Sequence, residues 1–217
     1  VQSQARCEAA QNAGDFADEI IPVTVKTRKG EVVIDTDEHP RHGATIEGMA
    51  KLKAVFKKDG TVHPGNASGI TDGAAACIVA SRETAEKNGW PILAVIEGSA
   101  AAGVDPKIMG IGPVPATAKL NEKLGLTMDD YDAIELNEAF AAQVLACLKD
   151  WDIDSTKVNM QGGSIALGHP IGATGCRIVV TLLHLMKRRD LHRGLATLCD
   201  SGGLGHSVRF IRPGAGA

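Results

Sequence analysis

The chain has 217 residues, 44% of them hydrophobic and 23% charged, enough apolar content for a core in one or two domains. Its formal net charge of −3, from 26 acidic against 23 basic side chains, lacks the basic footprint of a nucleic-acid binder, so any phosphate binding must be local. There is no apolar run of membrane-spanning length and no basic-then-apolar leader, and five cysteines without a CxxC pair speak against a disulfide framework or a metal site; the expectation is a protein of the cytoplasm or an organelle matrix.

Residues 1–13 read as a helix closed by Gly14 at the C′ position, with no initiator methionine and no N-cap residue before it, so the sequence is expected to open inside a helix. Residues 20–27 and 31–35 alternate apolar and polar side chains around Arg28-Lys29-Gly30, a hairpin pattern. Thr45 is placed to cap a short helix that carries Ile46, Met49, Leu52, Val55 and Phe56 at three-to-four spacing, which predicts one buried face. Residues 71–80 start at an Asp72-Gly73 turn and predict a small-residue strand whose edges need neighbours from another segment, and 81–88 predict a helix closed by Gly89.

From 92 onward strands and helices alternate. The pattern gives a strand over 92–99, a helix over 115–124 with Gly125 behind it, a strand over 133–136 and a helix over 138–149. A glycine-dense stretch at 162–176 then runs into an apolar helix ending near Arg188, followed by strands over 194–199 and 207–211. Such alternation implies an α/β fold, a mixed sheet with helices on its faces.

The glycine stretch, GGSIALGHPIGATGC, places His169 between glycines that let backbone approach a ligand, ahead of a helix whose first amides are free. A turn with a surface histidine would explain that stretch alone. Two further stretches argue for a site: Asn137-Glu138-Ala139-Phe140 at the end of one strand, and Cys199 ahead of Asp200-Ser201-Gly202-Gly203 at the end of another, both where open α/β sheets build their sites.

Taken in order, NEAF, GGSIALGHPIGATG and ATLCDSGGLG resemble the C-terminal half of a thiolase, an acetyl-CoA acetyltransferase, and Arg41-His42-Gly43-Ala44-Thr45 and Gly65-Asn66-Ala67-Ser68-Gly69 extend the resemblance over nearly the whole chain. The resemblance implies the layered αβαβα thiolase fold: part of the loop domain over 1–70, the final strand and helix of the N-terminal core domain over 71–91, and the C-terminal core domain over 92–217. The family's Cys-x-Ser-Gly-like segment with the nucleophilic cysteine has no match here, so a second polypeptide or fragment carrying the N-terminal half is expected as partner, in a homo- or hetero-oligomer.

By the same resemblance the substrates are acyl-CoA and coenzyme A, with no further cofactor and no metal. A thioester Claisen reaction needs a thiolate, a base and donors for two oxyanions. The imidazole of His169 suits activation of the thiol. Cys199 matches the base that exchanges the α-proton; the bland alternative, a buried small hydrophobe, is the reading given to Cys7, Cys77, Cys147 and Cys176. Asn137 and His169 are assigned to one oxyanion hole, the asparagine through a water, and the Ser201 N–H to the other. Arg41, Ser68, Met109 and Phe140 are assigned to coenzyme A, the arginine at its nucleotide and the rest along its pantetheine arm.

The chain departs from the family at Gly48 and Pro64, near the nucleotide, and at Asp200-Ser201, where a glycine is usual two residues after the base cysteine. Two readings follow. One is a catalytic thiolase half, assembled with the segment that carries the nucleophile; the other is a non-catalytic acyl-CoA-binding or scaffold subunit, which only Asp200-Ser201 favours. A ketosynthase reading is disfavoured, because a second histidine usually stands there in place of Cys199.

Overall fold

A computed structural model describes residues 1–214, so the last three positions of the 92–217 unit lie outside the described residues. In chain order the elements are α1 (Gln2–Asn12), a hairpin of β1 (Val23–Thr27) and β2 (Gly30–Ile34), α2 (Ile46–Ala50), α3 (Arg82–Lys87), β3 (Val95–Gly103), α4 (Pro113–Leu124), β4 (Ala133–Leu136), α5 (Ala141–Trp151), α6 (Ser164–Leu167), α7 (Thr174–Arg188), β5 (Arg193–Asp200) and β6 (Leu204–Ile211). A 3-10 turn at Pro106–Ile111 leads into α4.

The central sheet has the order β3-β6-β5-β4 and is mixed: β4 runs parallel to β5, and the other pairs are antiparallel. Alternation along the strands sends side chains to two cores. Ile134, Leu136 and Leu195 pack with Leu120 of α4 and Cys147 and Trp151 of α5, while Ala133, Ala196 and Phe210 pack with Ile178, Leu182, Leu185 and Met186 of α7. Gly194 lets α7 lie close on the sheet, since a Cβ there would meet Leu182 and Met186. Each fully buried leucine in these layers contributes about 1.5–3 kcal/mol.

Several helix ends follow the expected chemistry. Thr45 and Ser81 cap α2 and α3 by accepting from the Gly48 and Thr84 amides, and Gly125 takes a left-handed φ of 68° behind α4. β4 spans the expected 133–136, and the hairpin at Gly30 forms as read.

Other expectations are corrected. The stripe from Ile46 to Phe56 does not bury a face: α2 stops at Ala50 after little more than one turn, and Ile46 and Phe56 are 71% and 74% exposed. Residues 71–80 form no strand, because no other strand lies beside them among the described residues, and Ile78 and Val79 are exposed. β3 starts later and runs on to Gly103, since its partner β6 sets the ladder length, with an irregularity between Ile96 and Gly98. The helix expected from 138 starts at Ala141 because Phe140 is held extended, bridged to Ala67. α7 begins at Thr174, ahead of the apolar run, with the Thr174 amide bonded to the Pro170 carbonyl.

Candidate active site

Asn137 lies just beyond β4, its amide N–H donating to Thr197 O of β5 at 3.0 Å. Its side chain is buried, and its orientation is fixed by a relay. Arg177 donates through Nη2 to Ser164 Oγ at 2.8 Å, which leaves the serine proton for Asn137 Oδ1 at 2.6 Å. The carboxamide oxygen therefore faces Ser164, and the Asn137 Nδ2 donor is buried with no protein partner among the described residues. An orphan donor of this kind is costly unless a ligand or water meets it.

His169 follows Gly168, whose φ of 90° and contact with Thr71 leave no room for a side chain. The His169 amide donates to Gly69 O at 2.8 Å, which ties the glycine stretch to the 65–70 loop. The Thr174 hydroxyl donates to Pro170 O at 2.9 Å and so turns a lone pair toward His169 Nδ1, 2.7 Å away. Nδ1 therefore carries the ring proton and Nε2 keeps its lone pair. Burial, aided by the Arg177 charge, holds the imidazole below its ordinary pKa of 6.5. The ring is thus a neutral base at Nε2 over the neutral range.

The 65–70 loop also meets the NEAF segment. Ser68 donates both its amide, at 3.0 Å, and its hydroxyl, at 3.2 Å, to Ala139 O. Phe140 is partly buried and meets Phe56 edge-on, with ring centroids 6.0 Å apart. The NEAF segment, the 65–70 loop and the glycine stretch are therefore joined, Ser68 to Ala139, Phe140 to Ala67, His169 to Gly69 and Asn137 to Ser164. Arg41 is exposed and is held by its backbone amide, which donates to Gln4 Oε1. Met109 sits partly buried on the 3-10 turn before α4.

Cys199 is buried on β5, in register with Gly205, and burial raises its thiol above the ordinary value, with Asp200 adding to the rise. Ser201 does not have a positive φ; the left-handed positions here are Gly202 and Gly203, so the serine is unstrained. Its N–H already donates to its neighbour, the Asp200 carboxylate, at 2.7 Å. An acidic side chain one residue earlier can fold back onto the amide, and here it takes the donor assigned to an oxyanion.

Sequence reading assigned no role to Glu138, yet its carboxylate is buried and accepts from Ser3 Oγ at 2.6 Å, the Ile165 amide at 3.1 Å and Asn159 Nδ2 at 3.1 Å. It thereby fastens α1 and α6 to the NEAF turn, and a Cβ at Gly163 would strike it. Thr174, Ser164 and Arg177 were missed as well; their only sequence signal was residence in the glycine stretch and the helix behind it. Of the cysteines read as buried, Cys7 and Cys147 are, with thiols pushed up to about 12, chiefly by burial. Cys77 is exposed, the 71–80 strand to which it was assigned not having formed, and Cys176 is only partly buried.

Among the described residues no group of three His, Cys, Asp or Glu side chains is arranged to hold a metal ion, and no helix is long and apolar enough to cross a membrane. A cleft lined by Ser99, Lys119, Lys123 and His206 lies between α4 and the β3–β6 edge, and none of the candidate residues lines it.

Comparison with known proteins is in keeping with this arrangement. Residues 90–212 match the thiolase C-terminal domain and residues 1–83 the thiolase N-terminal domain. The chain is 55% identical over 213 residues to an acetyl-CoA acetyltransferase of Paracoccus denitrificans, covering 98% of this chain and 54% of that protein. The crystal structure of the Bacillus anthracis acetyl-CoA acetyltransferase superposes with a TM-score of 0.94 at 50% identity, covering 97% of this chain and 53% of that one. Human mitochondrial 3-ketoacyl-CoA thiolase in complex with CoA gives 0.89 at 44% identity, over 97% and 52%. The chain thus spans about half the length of the relatives it matches. With its sheet, its glycine stretch and both domain matches in agreement, the chain belongs to the thiolase family.

Proposed function

We propose that the chain is part of an acetyl-CoA C-acetyltransferase or 3-ketoacyl-CoA thiolase, and that it joins or cleaves acyl-CoA thioesters through an acyl-cysteine. The observation that carries this reading is the Asn137 Nδ2 donor, buried without a protein partner among the described residues, on a segment in contact with the glycine stretch that carries His169. His169 Nε2 takes and keeps the proton of the nucleophilic thiol, and the thiolate attacks the acyl-CoA carbonyl and expels coenzyme A as a thiolate that takes a proton from water. Asn137, through a water, and the Nε2–H of the His169 ring then hold the thioester oxygen of the second acyl-CoA while Cys199, as its thiolate, removes the α-proton. The resulting carbanion attacks the acyl-cysteine. In thiolysis the steps reverse, and Cys199 gives the proton back.

The nucleophile is a cysteine thiol activated by His169. Cys7 and Cys147, pushed to about 12, are poor candidates, and Cys199 has its own task. Coenzyme A is substrate and product, and no other cofactor takes part. Ser68 and Phe140 flank the pantetheine arm with Met109, and Arg41, free at its guanidinium, reaches the nucleotide; the likeness to a thiolase structure in complex with CoA supports this. The working protein is an oligomer of the cytoplasm or an organelle matrix.

One observation favours a binding subunit instead: the capture of the Ser201 N–H by Asp200 leaves the second oxyanion hole short of a donor. Assay of the protein, in the assembly in which it purifies, for acetoacetyl-CoA formation and thiolysis decides between the two. Turnover that disappears in His169→Ala supports the enzyme. Saturable coenzyme A binding without turnover supports the binding subunit.

A further inference from the structure

Cys77 and Cys176 have no task in the scheme above and no place in the core, yet their Sγ atoms lie 3.7 Å apart across a sequence separation of 99 residues. Both thiols are free, and Cys77 is exposed. They belong to segments of unlike rigidity. Cys176 is in the first turn of α7, a helix packed on the sheet, whereas Cys77 is in the 71–80 segment, which has no strand neighbour among the described residues. That segment nonetheless follows the glycine stretch closely: Ile70 bridges to His169, Thr71 fills the space beside Gly168, and Gly73 lies against Pro170.

A disulfide requires the sulfurs to close to about 2.05 Å. Rotation of the two side chains, with a small shift of a segment that no ladder holds among the described residues, supplies that movement. We propose that Cys77 and Cys176 form a reversible disulfide, made by exchange with a low-molecular-weight disulfide such as oxidised glutathione, which clamps the 71–80 segment to the start of α7.

The electrons balance within the exchange. The Cys77 thiolate attacks one sulfur of the small disulfide, whose S–S bond breaks to leave a mixed disulfide on Cys77 and one small thiolate. The Cys176 thiolate then attacks Cys77 Sγ and expels the second small thiolate. The two protein thiols are oxidised, the small disulfide is reduced to two thiols, and the two protons lost by the cysteines go to them. Exposure makes Cys77 the site of first attack.

The test is a redox titration of the purified protein in glutathione buffers, followed by thiol alkylation, intact mass and non-reducing peptide mapping. The expected result is the loss of two hydrogens from the mass, a linked peptide pair containing Cys77 and Cys176, and full reversal by dithiothreitol. Cys176→Ser is expected to stop at a glutathione adduct on Cys77, and Cys77→Ser to lose the bridge. Retention of both thiols at redox buffers that oxidise a reference dithiol, a persistent adduct on wild-type Cys77, or a bridge to a different cysteine overturns the proposal. None of these outcomes depends on turnover, so the bridge and the proposed function fail separately.

Discussion

Ser164 hands its hydroxyl proton to Asn137 at 2.6 Å, and with it decides which end of the asparagine amide faces the site. Arg177 donates to the same hydroxyl from the other side, so it positions Asn137 without touching it. Ser164→Ala is expected to free the amide to turn and to leave a buried donor unmet, at about 1–3 kcal/mol of stability. The kcat should fall roughly 10- to 100-fold, and Asn137→Ala should lose about 10²–10³. Steady-state kinetics checks this: a change in KM alone, with kcat unmoved, would remove the amide from the chemistry.

Thr174 does for His169 what Ser164 does for Asn137. Replacing Thr174 with Val removes the lone pair that Nδ1–H meets, so the ring loses both its tautomer and its aim, and acyl transfer should slow by about 10²-fold or more. Because burial holds the imidazole below 6.5, the acid limb of the kcat/KM profile should fall below that pH in the wild type. It should move toward the ordinary histidine value in a variant that opens the site to water. A pH profile with its acid limb above 6.5 contradicts the assignment.

Cys199→Ala is expected to abolish condensation but to leave acylation of the nucleophile measurable, since only the α-proton step uses this thiol. Burial raises its pKa, so Cys199 is a thiol at neutral pH, suited to giving a proton in thiolysis. Condensation, which needs the thiolate, should gain relative to thiolysis as pH rises. Mass-spectrometric trapping of the acyl-enzyme separates the steps; failure of the variant to acylate would mean the roles are exchanged.

Asp200 makes a prediction of its own. Because Ser201 is not in the left-handed region, Ser201→Gly relieves no strain and should not raise turnover. Asp200→Ala removes the carboxylate that holds the Ser201 N–H and should raise kcat, a tenfold gain corresponding to about 1.4 kcal/mol. Unchanged turnover in Asp200→Ala would indicate that this N–H is not an oxyanion donor.

Glu135 is buried near Arg177 but 3.9 Å from it, and desolvation raises its carboxyl from 4.5 to about 8. Between those values the unfolded chain releases a proton that the native protein keeps. Stability should therefore fall as pH rises through this window, by up to about 1.4 kcal/mol per pH unit, and level off above it. Glu19, raised to about 7 mainly by burial, acts in the same direction. Glu135→Gln should flatten the slope in urea unfolding measured across the window; an unchanged slope would place the titration elsewhere.

What the sequence made legible was whatever local chemistry decides. Thr45, Ser81 and Gly125 mark helix ends because caps and left-handed turns depend on a few neighbouring atoms, and β4 stood out as a short strand-like run. The candidate site was visible as three motifs, but not its supports. Glu138, Ser164 and Arg177 act through partners well along the chain, such as Ser3 on Glu138, and Thr174 through the shape of a turn, and no spacing encodes either. The periodic stripe at Ile46–Phe56 and the small-residue run at 71–80 misled for the opposite reason. Pattern states what a segment could bury or pair with, and here Ile46 and Phe56 stay exposed and no strand lies beside 71–80 among the described residues.

Gly112, where α4 begins, and Gly205, on β6 across from Cys199, press backbone to backbone. A Cβ on Gly112 would come within 2.6 Å of Leu204 O, and one on Gly205 would overlap the Gly112 backbone itself. Because the obstacle on each side is main chain, no second substitution can make room for the first. In a saturation scan these two positions should therefore stay blank together, even to alanine, and suppressor screens started from either should return only reversion. A seam of that kind fixes the distance from α4 to the strand that carries Cys199 and makes it an inherited constant, while the side chains on either side remain free to vary.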